Sequence, residues 1–252
     1  MRAFIKAISY YLPKKELLNS DLAEQFPEWG ADKIAAKIGI SKRHIAARKE
    51  YASDMAISAA LRLFGEHGIS PGEIDFILYC TQSPDYFLPS TSCIIQEKLQ
   101  IPIKSGALDF NLGCSGYVYG LALAKGLISA GIASNILLLT ADTYSKFIHK
   151  GDKANRTIFG DAATATLIST NGFAMVDEFV LGTDGKGAGN LIVKQGAIRY
   201  PKKKPKLSAD EFGNESSEGN LYMNGPEIFS FTSRAIPDLV ENTLKINSLL
   251  KK

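Results

Sequence analysis

The sequence predicts an α/β protein whose mostly parallel or mixed sheets are covered by helices on both faces, followed by a second repeat that is begun and not completed. Two patterns carry this reading. Short, nearly continuous apolar runs alternate with longer helical runs as far as Asn171, the signature of strands buried on both faces and joined through helices. Beyond Asn171 a strand-like run, a glycine-rich turn region and a long helical pattern follow in order. They read as the opening of another repeat, so the segments expected are 1–170 and 171–252.

The elements follow from local signals. Ala3 to Tyr10 reads as the first strand, and polar caps at Asn19-Ser20-Asp21 precede a helix carrying Leu22 and Phe26. Ser53 is the expected cap of a helix with Met55, Ile57, Ala59, Ala60, Leu63 and Phe64 at helical spacing, and Gly68 is its stop. Ser70-Pro71-Gly72-Glu73 has a capping serine, a first-position proline and a glutamate three residues on. Strands are expected over Phe76–Cys80, Gly106–Phe110, Asn135–Thr140 and Ala163–Ile168, with helices over Thr91–Leu99 and from about Cys114 to Ala130, where Gly131 ends the run. Phe173–Val180 and Leu191–Lys194 read as a hairpin around the turn residues Gly182 to Gly189, and Pro226 to about Ser248 reads as helical.

Composition narrows the function classes. At 252 residues and 45% hydrophobic, the chain can bury a full core. No apolar run reaches the roughly 18 residues that span a bilayer, and the N-terminus lacks a signal-peptide core, so the expected location is cytoplasmic. A net charge of +3 without a clustered basic and aromatic surface argues against nucleic acid. Cys80, Cys93 and Cys114 form neither a disulfide framework nor a C-x-x-C pair that would suggest zinc or redox exchange. Lys202-Lys203-Lys204-Pro205-Lys206 reads as a solvated loop.

The segment richest in chemistry is Leu108-Asp109-Phe110-Asn111-Leu112-Gly113-Cys114-Ser115-Gly116-Tyr117, a strand, a small-residue turn and a helix start beside a thiol. Unpaired amides at a helix N-terminus favour thiolate over thiol at a sulfur placed there. Gly113 and Gly116 leave room for a substrate carbonyl, and a turn amide can face a developing oxyanion. From the residues alone, a small buried cysteine at a strand-helix junction remains the alternative.

The run Asp109–Tyr117 resembles the nucleophile turn of the β-ketoacyl-ACP synthase III family, within the thiolase superfamily. Gly39-Ile40-Ser41-Lys42-Arg43-His44-Ile45-Ala46, Pro84-Asp85-Tyr86-Phe87-Leu88-Pro89-Ser90-Thr91, Phe159-Gly160-Asp161-Ala162-Ala163 and Asn224-Gly225-Pro226-Glu227-Ile228-Phe229 are similar to further segments of that family, in the same order. The resemblance implies a thiolase-like fold and a ping-pong acyltransferase. Cys114 would accept an acyl group from a thioester primer, and a malonyl-carrier thioester would decarboxylate and attack it, giving a 3-ketoacyl product. It also implies no metal or redox cofactor, acyl carrier protein as a partner that the lysine loop at residues 202–206 could contact, a homodimer in which the Tyr86-Phe87-Leu88-Pro89 loop closes the partner's acyl pocket, and a role in starting acyl chains.

The resemblance also sets out departures. The family's catalytic histidine, in a His-Gln-Ala-Asn run, and its later asparagine have no counterpart here. His44, His67 and His149 read as surface or capping residues. The chain is therefore expected to lack the family's C-terminal part, and an isolated chain to condense poorly, since losing one transition-state donor costs on the order of 10²- to 10³-fold. At the coenzyme A site, Lys33 stands where many members carry tryptophan, Lys37 and Lys153 replace arginines, and Trp29 lies one helical turn earlier. Lysines hold phosphate as point charges without the planar fork, which favours a carrier-bound primer over coenzyme A. A non-catalytic thiolase-fold protein that binds carrier protein or an intact synthase is the rival reading, with a hydroxymethylglutaryl-CoA synthase or thiolase as a looser third. Gly182-Thr183-Asp184-Gly185-Lys186-Gly187-Ala188-Gly189 lacks the Gly-Lys-Ser/Thr ending of a phosphate loop and reads as a turn.

Overall fold

A computed structural model of the chain describes residues 1–204, 206–210 and 213–249; Pro205 of the lysine loop and the terminal Lys251-Lys252 lie outside them. In chain order the elements are β1 (Phe4–Tyr11), β2 (Lys15–Leu18), α1 (Asn19–Gln25), α2 (Ala31–Ile38), β3 (Lys42–Ile45), α3 (Ala52–His67), β4 (Phe76–Cys80) and α4 (Thr91–Lys98). They continue with β5 (Gly106–Phe110), α5 (Gly116–Ser129), β6 (Asn135–Asp142), α6 (Lys153–Arg156), β7 (Ala162–Ser169), β8 (Ala174–Met175), β9 (Leu191–Val193), β10 (Ser208–Ala209), β11 (Glu215–Ser216), β12 (Leu221–Met223) and α7 (Gly225–Ile246). Two compact units result. One is Met1–Lys15, His44–Thr143 and Asp161–Asp177; the other is Glu16–Arg43, Tyr144–Gly160 and Glu178–Lys252. Compactness thus divides the chain along other lines than the expected 1–170 and 171–252.

The first unit is a six-stranded sheet in the order β5-β4-β6-β7-β1-β8. Its parallel part is confined to β5, β4 and β6, while β7 runs antiparallel to β6 and β1, and β8 antiparallel to β1. The sheet is therefore mixed, within the expectation of mostly parallel or mixed sheets. Burial on both faces produces an apolar run whichever way a strand points, so the sequence pattern could not report direction.

Alternation along the strands separates two cores. Ile77, Tyr79, Leu137, Leu139, Ala163, Ala165 and Leu167 pack with Met55, Ala59 and Leu63 of α3. On the opposite face, a Cβ on Gly120 of α5 would lie 2.5 Å from Leu138 Cδ1, so glycine lets this helix sit directly on β6. Each fully buried Leu or Ile contributes roughly 1.5–3 kcal/mol of transfer free energy. Six of them lie on the central strands β4 and β6: Ile77, Leu78, Ile136, Leu137, Leu138 and Leu139.

Local signals are largely realised. Helix α3 ends at Gly68, with φ +62°, and Ser70 accepts from Gly72 N–H at 3.2 Å. Helix α3 starts two residues earlier than expected, after Tyr51, whose N–H donates to Asp54 Oδ2 at 3.0 Å. Ser53 is therefore inside the helix and donates to Asp85 Oδ2 at 2.7 Å. The expected hairpin of Phe173–Val180 with Leu191–Lys194 does not form. β8 extends the sheet by pairing with β1, and β9 pairs with β12 from beyond the lysine loop. Turn residues mark where a chain bends and leave its partner strand open. Lys202, Lys203, Lys204 and Lys206 are exposed in irregular chain, as expected of a solvated loop.

The second unit has few buried apolar residues among those described: Leu22, Ile34 and Leu221. Polar knots join its segments. Arg43 Nε donates to Thr157 O at 2.8 Å, its Nη2 donates to the same carbonyl and its Nη1 to Asn19 Oδ1. Asp152 caps α6 by accepting from Asn155 N–H at 2.9 Å.

Candidate active site

The carboxyl ends of the three parallel strands are in register, with Cys80 of β4 opposite Phe110 of β5 and Thr140 of β6. In open α/β sheets, ligands bind outside this edge. The chain leaves β5 there through Asn111–Ser115 and enters α5 at Gly116, and Cys114 lies exposed on that turn, just before the N-cap Ser115. Helix α5 starts two residues later than the expected Cys114, because Gly116 N–H closes the turn onto Gly113 O at 2.8 Å. The first helical bond is then Tyr119 N–H to Ser115 O, at 3.1 Å.

Close approach to β4 dictates glycine at this junction. A Cβ on Gly116 would lie 2.3 Å from Cys80 Sγ, and Cys80 donates to Leu112 O at 3.2 Å. Burial first, then the Asp142 charge, pushes the Cys80 thiol up to about 11, with the Leu112 contact opposing. It remains a thiol at neutral pH beneath the turn that exposes Cys114. Asp109, on the other side, accepts from Thr91 N–H at 2.6 Å and Ser92 N–H at 2.8 Å, so β5 also caps α4.

The residues assigned to the coenzyme A site come together in the second unit. Trp29 is half-buried, Lys33 and Lys37 are exposed on α2, and Lys37 Nζ lies 5.7 Å from the centroid of the Trp29 ring. Lys153 is mostly covered and pairs with Glu28 Oε1 at 2.6 Å. The cleft lined by Trp29, Lys33, Ile34, Lys37 and Ile38 holds about 70 Å³, against roughly 300–1,000 Å³ for pockets that enclose small molecules. Glu28 went unnoticed in the sequence because nothing in its neighbourhood marks a partner more than a hundred residues away.

Two sequence motifs acquire physical roles. Asp161 of Phe159-Gly160-Asp161 accepts from Ala46 N–H at 2.8 Å and donates its own N–H to His44 O at 2.8 Å, tying the turn to the early Arg43-His44-Ile45-Ala46 segment. His44 Nδ1 lies 2.7 Å from Pro13 O. His149 Nδ1 accepts from Gly151 N–H at 3.1 Å, and His67 closes α3. Among the described residues, no group of three His, Cys, Asp or Glu side chains could hold a metal ion, and no helix is long and apolar enough to cross a membrane.

Relatives place this geometry. A family model described as 3-oxoacyl-[acyl-carrier-protein (ACP)] synthase III matches residues 108–185, a span that contains the Cys114 turn and Asp161. The β-ketoacyl-[acyl-carrier-protein] synthase III of Chlamydia caviae is 35% identical over 235 residues, covering 92% of this chain and 68% of that protein. The chain belongs to the 3-oxoacyl-[acyl-carrier-protein] synthase III family. The synthase III of Caldanaerobacter subterraneus is 33% identical over 231 residues, covering 90% of this chain. A crystal structure of a 3-oxoacyl-(acyl-carrier-protein) synthase III superposes with a TM-score of 0.95 at 47% identity, covering 98% of this chain and 75% of that one. The thiolase-like α/β fold of synthase III is thereby the fold of this chain. The chain spans 66% of the length of the Caldanaerobacter synthase III and 68% of the Chlamydia one.

Proposed function

We propose that this synthase III chain is an acyltransferase that loads an acyl group on Cys114 and condenses it with malonyl-carrier protein to a 3-ketoacyl product, the first step of a fatty-acid or related acyl chain. The supporting observation is the exposed Cys114 thiol on a glycine-dependent turn at the carboxyl edge of β4, β5 and β6. Its sulfur attacks the thioester carbonyl, the tetrahedral intermediate collapses, and the primer's thiol leaves with a proton. Loss of CO₂ from the malonyl thioester then supplies the carbanion that attacks the acyl carbon and releases the Cys114 thiolate. No cofactor takes part in these steps.

Several observations favour a primer delivered on carrier protein over one delivered as coenzyme A. Lys153 is already engaged by Glu28, Lys37 faces Trp29, and the cleft beside them is small. The exposed lysines 202–204 and 206 suit an acidic carrier domain through charge steering. A homodimer fits the sheet and its loop: β5 is an edge strand, and Tyr86, Phe87 and Leu88 are 63%, 73% and 83% exposed.

Intact mass after incubation with acyl-coenzyme A and acyl-carrier thioesters tests the reading. A mass increase equal to the acyl group, absent in Cys114→Ala and faster from the carrier thioester, is expected. No adduct in a folded chain would sink the reading and leave the non-catalytic binding role. A faster reaction from coenzyme A would overturn the primer assignment alone.

A further inference from the structure

Behind the Cys114 turn lies a half-buried carboxylate that the reaction does not touch. Asp142 ends β6, and its Oδ1 accepts from Gln82 N–H at 2.7 Å, from Ser83 Oγ at 3.0 Å and from Thr81 Oγ1 at 3.2 Å. Ser83 Oγ in turn accepts from Thr143 N–H at 3.0 Å, so the exits of β4 and β6 are laced in both directions. Gln82 Nε2 then donates to Asn111 Oδ1 at 3.2 Å, and Thr81 N–H to Phe110 O at 3.2 Å. Phe110 ends β5, and Asn111 opens the stretch that leads to Cys114.

We propose that Asp142 is the positioning residue of the Cys114 turn: one carboxylate gathers the Thr81–Ser83 exit of β4 and, through Gln82 and Asn111, fixes where the thiol stands. This rests on Cys114 being the acyl acceptor. A reacting sulfur displaced by about 1 Å can lose on the order of 10² in rate, so a clamp three residues upstream has leverage over chemistry it never contacts.

The carboxylate is costly to the fold, which separates this role from a stabilising one. Burial raises the Asp142 carboxyl above its ordinary range, opposed by the donors from Gln82, Ser83 and Thr81. A folded-state pKa above the unfolded one means that stability is lost as pH rises through that interval and stays lost above it. Asp85 and Asp109 act together with Asp142 on the buried Tyr79 hydroxyl, each raising its pKa. A neutral asparagine keeps an acceptor at the same place without the half-buried charge.

The test is the time course of acyl transfer to Cys114, followed by intact mass over a range of carrier-thioester concentrations, with melting temperature measured on each variant. Asp142→Ala should lower the limiting rate by on the order of 10- to 100-fold with little change in the half-saturating concentration. Asp142→Asn should recover most of that rate and melt no lower than the parent chain. Gln82→Ala, which leaves the carboxylate in place, should fall between them. An unchanged limiting rate in folded Asp142→Ala would overturn the proposal. So would an Asp142→Asn variant that falls as far as alanine and melts lower, the mark of a purely structural residue. If Asp142→Ala does not fold, Gln82→Ala decides: a rate equal to the parent's overturns it. If the parent chain forms no adduct, the reading of Cys114 fails by itself. Site-resolved iodoacetamide labelling of Cys114 in the same variants then decides for Asp142, with the same order of rates expected and equal rates overturning it.

Discussion

The two compact units of this chain are held by different physics. In the sheet unit, α3 and α5 cover opposite faces of β4 and β6, whose Ile77, Leu78, Ile136, Leu137 and Leu138 are fully buried. In the other unit, the 22-residue helix α7 buries none of its residues, and Phe229 is 73% exposed. Segments there are joined chiefly by directed bonds, as where the Arg43 guanidinium gathers Thr157 O and Asn19 Oδ1. Apolar burial is non-directional and tolerant, while a guanidinium knot depends on every partner being in place. The sheet unit should therefore resist single losses at its surface and yield to losses in its core, and the knotted unit should be sensitive at a few polar points.

Variants can break or sharpen that contrast. Ile77→Ala should cost the most, about 2–5 kcal/mol from lost transfer energy and the cavity left in the core that β4 shares with α3 and α4, read as a shift of the urea midpoint. Gly116→Ala is expected to cost about 1–3 kcal/mol by overpacking, since the new methyl meets Cys80 Sγ at 2.3 Å. Adding Cys80→Ala should restore most of it, because the next nearest atoms, Leu112 Cβ at 3.4 Å and Cys80 Cβ at 3.7 Å, are at ordinary contact. Failure of that rescue would mean that backbone and not the sulfur limits the approach of α5. Arg43→Ala should cost about 1–3 kcal/mol by stripping Thr157 O and Asn19 of their donor, and amide exchange should rise near Asn19 and Thr157 while β4 and β6 stay protected. Leu239→Ala on α7, already 39% exposed, should change stability by less than about 0.5 kcal/mol. A larger cost would show that α7 is covered in solution and would erase the contrast.

The candidate site was legible where chemistry depends on neighbours in sequence. Asp109–Tyr117 announced a turn, a thiol and a helix start because small residues, a strand end and an apolar helix follow one another along the chain, and the structure puts Cys114 exposed at that junction. The partners of that turn were not legible. Cys80 looked like the last residue of a buried strand, and only the packing of α5 onto β4 shows that it dictates Gly116. Asp142 lies beyond the expected strand Asn135–Thr140, where nothing local marked it. Its three donors come from residues about sixty positions earlier, through the β4-β6 pairing. The same limit hid the bond between Lys153 and Glu28, which turns a lysine assigned to phosphate into half of an ion pair.

By itself, then, the sequence determined the alternation of buried strands and helices, the stops at Gly68 and Gly131, the family resemblance and the cysteine on which the proposed chemistry rests. These depend on periodicity, on backbone conformations that glycine alone adopts easily, and on local order along the chain. Tertiary structure alone decided strand direction beyond β6, the partners of β8 and β9, and which carboxylate stands behind the Cys114 turn. Those depend on which strand edges meet, a choice made by hydrogen bonds between segments far apart in sequence, and single-chain periodicity carries no record of them.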